Sequence, residues 1–511
     1  MLELILTAIT AVITGFATAW LLRGSQMRHR DDRDVVHAPP RQSNQPPAGP
    51  VTDLRTGKFS ISADKIVSGE LQIAGRGSSV TLRSDDPVYF GRQPRLCITG
   101  ELYDLEKVTL IDCVQIGGES YSTHELGVKS HSVRLVPHFI VQGKEHLERD
   151  KPTIIDISFT FEDAFPLFYD YEAFGYVIDP TQHIETIADA NATLVNRKIL
   201  TGPTPEIAYF TGRSRIVEAD TALGRLAADH RPARPLLGSP RGIRIDNQIW
   251  VTITPQSPIV FDDAIDRVLS LARFMTFATG RKQSIPRVSI SVGTPEGAQR
   301  LQVDWSHHPR PPEEAAGSRP PQSADLPLDP IHFPDEFVSV LKFWFAVDGE
   351  RSVARARMQD CLAQQSYYSA DRLVAAANAY DHLPQAAVPQ DAQLSEEVLN
   401  AKSRCWTIFR ALAKSYERES LLQALGRIGK ANLKQKVRHR ANIIVTRAAD
   451  KFPALHEVCD HAIDCRNYFV HGDDRMKFNL DDPPGNLGFL TDTLEFVFGA
   501  AELLMRAEVM S

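Results

Sequence analysis

Arg466 and His471 stand five positions apart in the segment RNYFVHG, residues 466–472, where an apolar-faced stretch ends at Gly472. An arginine keeps its proton in a protein, whereas a histidine gains and loses one near neutrality. That pair suits a reaction in which protons move while negative charge builds on a phosphate. Cleavage of an RNA strand is such a reaction. It needs no metal, because the 2′-hydroxyl of RNA is an internal nucleophile. Asn467 adds a neutral donor and acceptor at the same rim.

Spacing alone leaves alternatives. Five residues lie about 140° apart around an ideal helix, so a straight helix is expected to keep Arg466 and His471 from converging. They meet if the last turn loosens, which a glycine at the C′ position permits. They also meet if two copies of the helix share one cleft across a dimer axis. The purely structural reading has His471 capping helix-end carbonyls and Arg466 paired with Asp460, Asp473 or Asp474. The same Arg-x4-His spacing recurs at Arg225 and His230, and looser versions join Arg23 with His29 and Arg300 with His307. None of these has Asn after the arginine, a long predicted helix beneath it, or Gly after the histidine.

Basic residues lie just upstream. Lys434, Lys436, Arg438, Arg440 and Arg447, with Arg427, Lys430 and His439, form the strongest positive run in a chain of net charge −7. Lys436, Arg440 and Arg447 keep roughly one helical face, a candidate phosphate track for RNA. A solvated face is the other reading. The histidines of the motif helix, His456 and His461, read as satisfied surface or core groups.

The elements that must position these residues differ between the two halves. From Pro453 to Val470 the helical period places Leu455, Val458, Ala462, Cys465 or Ile463, and Phe469 inward. Further helices are predicted over Asp335–Phe345, Ser352–Gln365, Asp371–His382, Ser395–Lys414, Leu433–Ala448 and Asn486–Arg506, which makes residues 335–511 an antiparallel bundle. Prolines crowd residues 309–334 and mark a boundary. Residues 57–308 read as mainly β, PTIIDISFTF at 152–161 being the clearest strand and Asp262–Ala278 an inserted helix.

Residues 1–23 read as a membrane anchor. The stretch from Leu2 to Leu22 is apolar apart from Glu3 and several threonines, and about 21 residues at 1.5 Å each span roughly 31 Å. Trp20 suits the interface, and Arg23, Arg28 and Arg30 follow it, so the chain is expected in a bacterial inner membrane as a single-pass protein with its domains cytoplasmic. Residues 24–56 read as a disordered tether. The expected fold class is thus multidomain α+β, with a transmembrane helix, a β-rich middle and an all-α C-terminal bundle.

Apolar content of 43% and charged content of 24% exclude wholesale disorder. The six cysteines form no CxxC pair, which points away from a zinc site or a disulfide framework and toward buried thiols. There is no GxxxxGK[ST] phosphate loop, GxSxG elbow or HExxH motif.

The C-terminal region resembles a HEPN domain of the ApeA type. The resemblance rests on RNYFVHG, on the preceding helices LKQKVRHRANIIV and ALHEVCDHAIDC, and on DRLVAAANAYDHLP at Asp371–Pro384. Upstream, ITGELYDLEKVTLIDC (Ile98–Cys113) and PTIIDISFTFEDAF (Pro152–Phe165) are similar to the β-rich domain that accompanies this HEPN type. The resemblance implies a metal-independent and cofactor-free endoribonuclease that acts as a HEPN homodimer in defence against phage, by abortive infection. It implies His471 as general acid or base, Arg466 as the stabiliser of the phosphorane, Asn467 as an orienting group, and products with a 2′,3′-cyclic phosphate and a 5′-hydroxyl. The β-rich region would then sense a trigger, such as a phage component. In the alternative, the protein is a non-catalytic membrane-tethered scaffold whose bundle only dimerises.

Overall fold

A computed structural model describes residues 53–505 apart from 63, 89, 91–94, 124–128, 198–199, 234–244, 295, 309–319, 366, 391–393, 449–450 and 473–484. Alternation of apolar and polar residues at period two drives the first half into antiparallel strands. Strands β1 (Asp53–Ser62), β2 (Lys65–Ile73), β3 (Ser79–Ser84), β4 (Leu96–Leu102), β5 (Lys107–Thr123) and β6 (Lys129–Val136) pair in the cycle β1–β2–β3–β6–β5–β4 and back to β1. Closure of this small barrel leaves no unpaired edge along the cycle. Phe59, Leu71, Val80, Leu82, Val108, Leu110 and Leu135 fill it with a core of its own.

Phe59 sits between two glycines. A β-carbon at Gly100 would stand 2.5 Å from Phe59 Cδ1, and one at Gly69 2.8 Å from Cδ2. Gly100→Ala is therefore expected to lower stability by about 1–3 kcal/mol through overpacking. A thermal melt checks this; an unchanged melting temperature would mean that the ring moves aside freely.

The chain continues through β7 (Phe139–Gly143), β8 (Ile154–Thr160), the short helix α1 (Ala164–Leu167), β9 (Phe174–Tyr176), α2 (Thr181–Val195), β10 (Ala208–Phe210), β11 (Arg215–Thr221), β12 (Gly224–His230), β13 (Ile249–Thr254), α3 (Phe261–Thr279), β14 (Arg287–Val292) and β15 (Gln299–Trp305). Residues 107–110 of β5 pair with both β4 and β7, while residues 114–116 and 120–123 pair with β6. One long strand thus carries the barrel into a second antiparallel run, β7–β15–β14–β8–β13–β12–β11. On one face of that run Ile157, Phe159, Val251, Ile253, Val288, Ile290, Leu301 and Val303 are buried in the same core as α3.

The second half is helical: α4 (Pro334–Ala346), α5 (Asp348–Ala363), α6 (Ala370–Asp381), α7 (Glu396–Ala411), α8 (Tyr416–Arg427), α9 (Leu433–Ala448), α10 (Leu455–His471) and α11 (Gly485–Leu504). Serine side chains cap the starts of α6, α7 and α8, where Ser369, Ser395 and Ser415 accept from the backbone N–H groups of Arg372, Val398 and Arg418. Helices α6, α9, α10 and α11 pack on one another, whereas α7 and α8 form a hairpin that packs mainly on itself. The apolar core runs without a break from the second sheet into this bundle. Phe274 and Phe277 of α3 meet Trp344 of α4 at ring-centre distances of 5.5 and 5.2 Å, and Phe277 meets Phe498 of α11 at 6.0 Å.

Three expectations need correction. The predicted membrane-spanning segment at Leu2–Leu22 lies outside the described residues, and among the described residues no helix is long and apolar enough to cross a membrane. The fold class is therefore a β-rich region followed by a helical one, with no membrane-spanning helix among the described residues, and the single-pass inner-membrane placement is not supported. Cys113, Cys361, Cys459 and Cys465 are buried as thiols, but Cys97 is exposed and Cys405 only half-buried. Phe469, expected inside, is 37% exposed. By angle Phe469 still lies within the inner stripe, only about 40° from Leu455, but it stands in the last turn, where Val470 and His471 are exposed as well.

Candidate active site at the end of helix α10

Helix α10 buries Leu455, Cys459, Ala462, Ile463 and Cys465 against the bundle. By the same geometry Arg466 falls on this bundle-facing side, where it is half-buried, while Asn467 and His471 turn away from it and His471 is exposed. The helix stays regular to its end, where Gly472 takes the left-handed conformation (φ 66°) and donates its N–H to Tyr468 O at 2.9 Å.

On this straight helix the two motif residues do converge. Arg466 Nη1 donates to Asn467 Oδ1 at 3.1 Å and lies 3.4 Å from His471 Nε2. The expectation that a straight helix holds them apart fails because the arginine side chain is long enough to run along the axis to the next turn. Arginine can only donate, so Nε2 of the imidazole is the acceptor in this pose and presents its lone pair to the guanidinium. Arg466 is half-buried and His471 exposed, so the charge is anchored from below and the imidazole faces solvent. The alternative pairing of Arg466 with Asp460 is not seen, since Asp460 holds Arg438 and Lys434 instead. Asp473 and Asp474 lie outside the described residues.

Sequence reasoning missed one member of the group. Asn378 of α6 accepts from Arg466 Nη2 at 3.0 Å. It is a lone amide among alanines, AAANAYD, flanked by the buried Ala376, Ala377 and Ala379. An amide at such a crowded position was the available signal.

The basic residues of α9 do not form a free track. Lys434 Nζ lies 3.3 Å from Asp464 Oδ1 and 3.5 Å from Asp460 Oδ2, and Arg438 Nε donates to Asp460 Oδ1 at 2.7 Å. Burial pushes the Asp460 carboxyl up, but Arg438 and Lys434 outweigh it and hold it below the usual carboxylate range. Lys436 Nζ pairs with Asp381 Oδ1 at 2.9 Å, and Arg447 is half-buried. Arg440 departs furthest from the expectation: it is fully buried and donates to Glu502 Oε1, deep in the bundle. An open cleft beside α9 is lined by Lys430, Asn432, Arg438, His439, Asn442 and His456, with basic and amide groups and no carboxylate among its described lining residues.

Glu502 gathers two more guanidiniums, with Arg351 Nη1 at 2.9 Å and Arg355 Nη2 at 2.7 Å. Arg355 Nη1 reaches on to Asp348 Oδ1 at 2.7 Å, and Asp348 also holds Arg273 of α3 at 3.0 Å. One buried ionic chain therefore links α3 to α5, α9 and α11. Among the described residues no group of three or more His, Cys, Asp or Glu side chains is placed to hold a metal ion.

Comparison with known families gives two matches. The family described as ApeA N-terminal domain 1 matches residues 55–344, more than half of the chain, and the family described as Apea-like HEPN matches residues 374–504. The second match takes in Asn378, Arg466, Asn467 and His471. No curated protein and no solved structure matches the chain.

Proposed function

Because the chain belongs to the ApeA-type HEPN proteins, we propose that it is a metal-independent endoribonuclease of prokaryotic defence against phage. The observation that carries this reading is the meeting of Arg466, Asn467 and His471 at one solvent-facing helix end. With Nε2 unprotonated, His471 takes the proton of the ribose 2′-hydroxyl as that oxygen attacks the adjacent phosphorus. Arg466 swings its Nη1 from the imidazole onto the phosphorane oxygens and stabilises their added charge. The P–O5′ bond then breaks, and the imidazolium that His471 has become gives the proton it took to the departing 5′-oxygen. The products are a 2′,3′-cyclic phosphate and a 5′-hydroxyl.

Phe469 and Val470, 37% and 44% exposed, set apolar surface beside His471, which suits a second copy of the bundle whose own motif completes the cleft. The β-rich half would sense the trigger. Sequencing of RNA ends in cells expressing the wild-type chain or His471→Ala, with and without phage, tests the reading. It expects new 5′-hydroxyl ends that the variant lacks, and identical ends in both would remove it.

Asn378 is a positioning residue in this scheme, since it touches Arg466 and not the RNA. Asn378→Ala is expected to lower kcat roughly tenfold, the worth of one hydrogen bond to a charged group, with KM held. A kcat and KM comparison together with a melt checks it. A matching loss of stability with kcat unchanged would make the contact purely structural.

A specific observation favours a second reading, a non-catalytic scaffold. The carboxylates Asp381, Asp460 and Asp464 neutralise the lysines and Arg438 that would otherwise grip phosphates. A chain that dimerises yet neither binds nor cuts RNA would fit it.

A further inference from the structure

We propose that the solvent-facing side of the second sheet binds single-stranded nucleic acid through Arg231, Trp250, Arg287 and Arg300. This goes beyond the nuclease reading and does not depend on it.

The face is built from the residues that alternate with the apolar core ones, and its cations cover Ser158 and Ser289, which are buried. Ser158, Thr252 and Ser289 make a floor of small hydroxyl side chains, placed side by side by the registers Thr252↔Ser158 and Ser289↔Ser158. Over it, the guanidiniums of Arg231 and Arg300 lie 5.0 and 5.6 Å from the ring centre of Trp250. Among the described residues every hydrogen-bond partner of these cations is neutral. Arg231 Nη2 donates to Thr252 Oγ1 at 3.0 Å and Ser158 Oγ at 3.3 Å, and Arg300 Nε to Ser289 Oγ at 3.1 Å. Arg287 Nη1 donates to Gln248 Oε1 at 2.9 Å, the same oxygen that Trp250 Nε1 reaches at 3.3 Å.

None of the three arginines forms a salt bridge within the described residues, in contrast with those of α9 and the buried chain. Of the carboxylates that act on Arg231, Asp229 is tied to Arg215 at 2.6 Å, leaving Asp156 against three cations. Burial, and then the neighbouring Arg300, pull the Arg231 guanidinium below its usual value, which marks two like charges held close that Asp229 and Asp156 do not fully offset. Such an arrangement is costly unless something supplies negative charge.

The form of the surface selects the partner. Phosphates answer the guanidiniums, and bases stack on an indole or on guanidinium planes. A free nucleotide wants a concave site that buries most of it, whereas Arg287 and Arg300 are exposed on an open sheet. A strand laid across the sheet makes several contacts without enclosure, and a duplex hides the bases that would stack.

The test uses the full chain and a fluorescently labelled 15-mer of deoxythymidylate, which lacks the 2′-hydroxyl and so reports on this face even if the nuclease reading fails. Binding is expected by anisotropy, and Trp250→Ala should weaken it about tenfold. Arg287→Gln and Arg300→Gln should each reduce the slope of log affinity against log salt by about 0.7. Both arginines are exposed, so they carry the test if Trp250→Ala fails to fold. Absence of binding, or affinity and salt slope unchanged in Arg287→Gln and Arg300→Gln, overturns the proposal. So does equal competition by ATP, which would make this a small-molecule site, or by duplex DNA, which would rule out stacking.

Discussion

His471→Ala is expected to lower the rate of RNA cleavage by about 10²–10⁴-fold, the usual worth of a positioned proton-transfer group. The side chain is exposed and packs into no core, so its loss should change stability by no more than about 0.5 kcal/mol. Activity and folding are therefore separable at this position. Arg466→Ala should cost about as much as removing one oxyanion donor, 10²–10³-fold. Arg466→Lys should not restore it, because a single ammonium cannot span Asn378, Asn467 and the substrate phosphate as the planar fork does. The measurement is a single-turnover time course on a labelled RNA, with product ends identified as 2′,3′-cyclic phosphate. If both alanine variants cut as fast as the wild type, the chemistry lies elsewhere. Because the two groups act in one step, the double variant should be little worse than either single one.

What the sequence revealed about this site depended on the reach of each signal. Helix α10 was legible because Leu455, Ala462 and Cys465 recur at helical spacing and Gly472 ends the run, all within one short window. Its convergent side chains were misjudged because a helical wheel places Cα positions and takes no account of arginine length. Asn378 lies 88 residues away from Arg466, and nothing local to either residue announces their contact. The basic run failed for the same reason: Asp460, Asp464 and Asp381 sit on other helices, so their neutralising effect is a property of packing. In the β-rich half, Pro137 stands between β6 and β7, where its missing N–H interrupts an otherwise continuous β-like run. Helices α2 and α8 lie outside the helices predicted from the sequence. The closure of the barrel by β5 and β6 could not be read at all, since pairing register lives between strands.

Glu502→Ala is expected to destabilise the protein by roughly 3–5 kcal/mol, because it strands buried guanidiniums rather than removing a surface pair. Arg351, Arg355 and Arg440 surround this carboxylate, and the side chains of Arg355, Arg440 and Glu502 have no exposure. Burial alone would push the Glu502 carboxyl up; the three guanidiniums, Arg440 foremost, outweigh it and hold it at about 2, against an ordinary value of 4.5. A depressed value in the folded state means that the carboxylate's contribution is full above about pH 4.5 and is lost as pH falls from there toward about 2. Urea melts across that window should therefore show wild-type stability falling with acid. In Glu502→Gln the fall should be shallower, from a lower starting point. The chain of contacts runs on through Asp348 to Arg273 of α3, so the variant should also loosen the seam between the second sheet and the bundle, seen as faster amide exchange in α3, α5 and α11. Equal stability of Glu502→Gln and wild type at neutral pH, with the same acid profile, would show that the arginines find other partners and that this buried chain does not hold the two halves together.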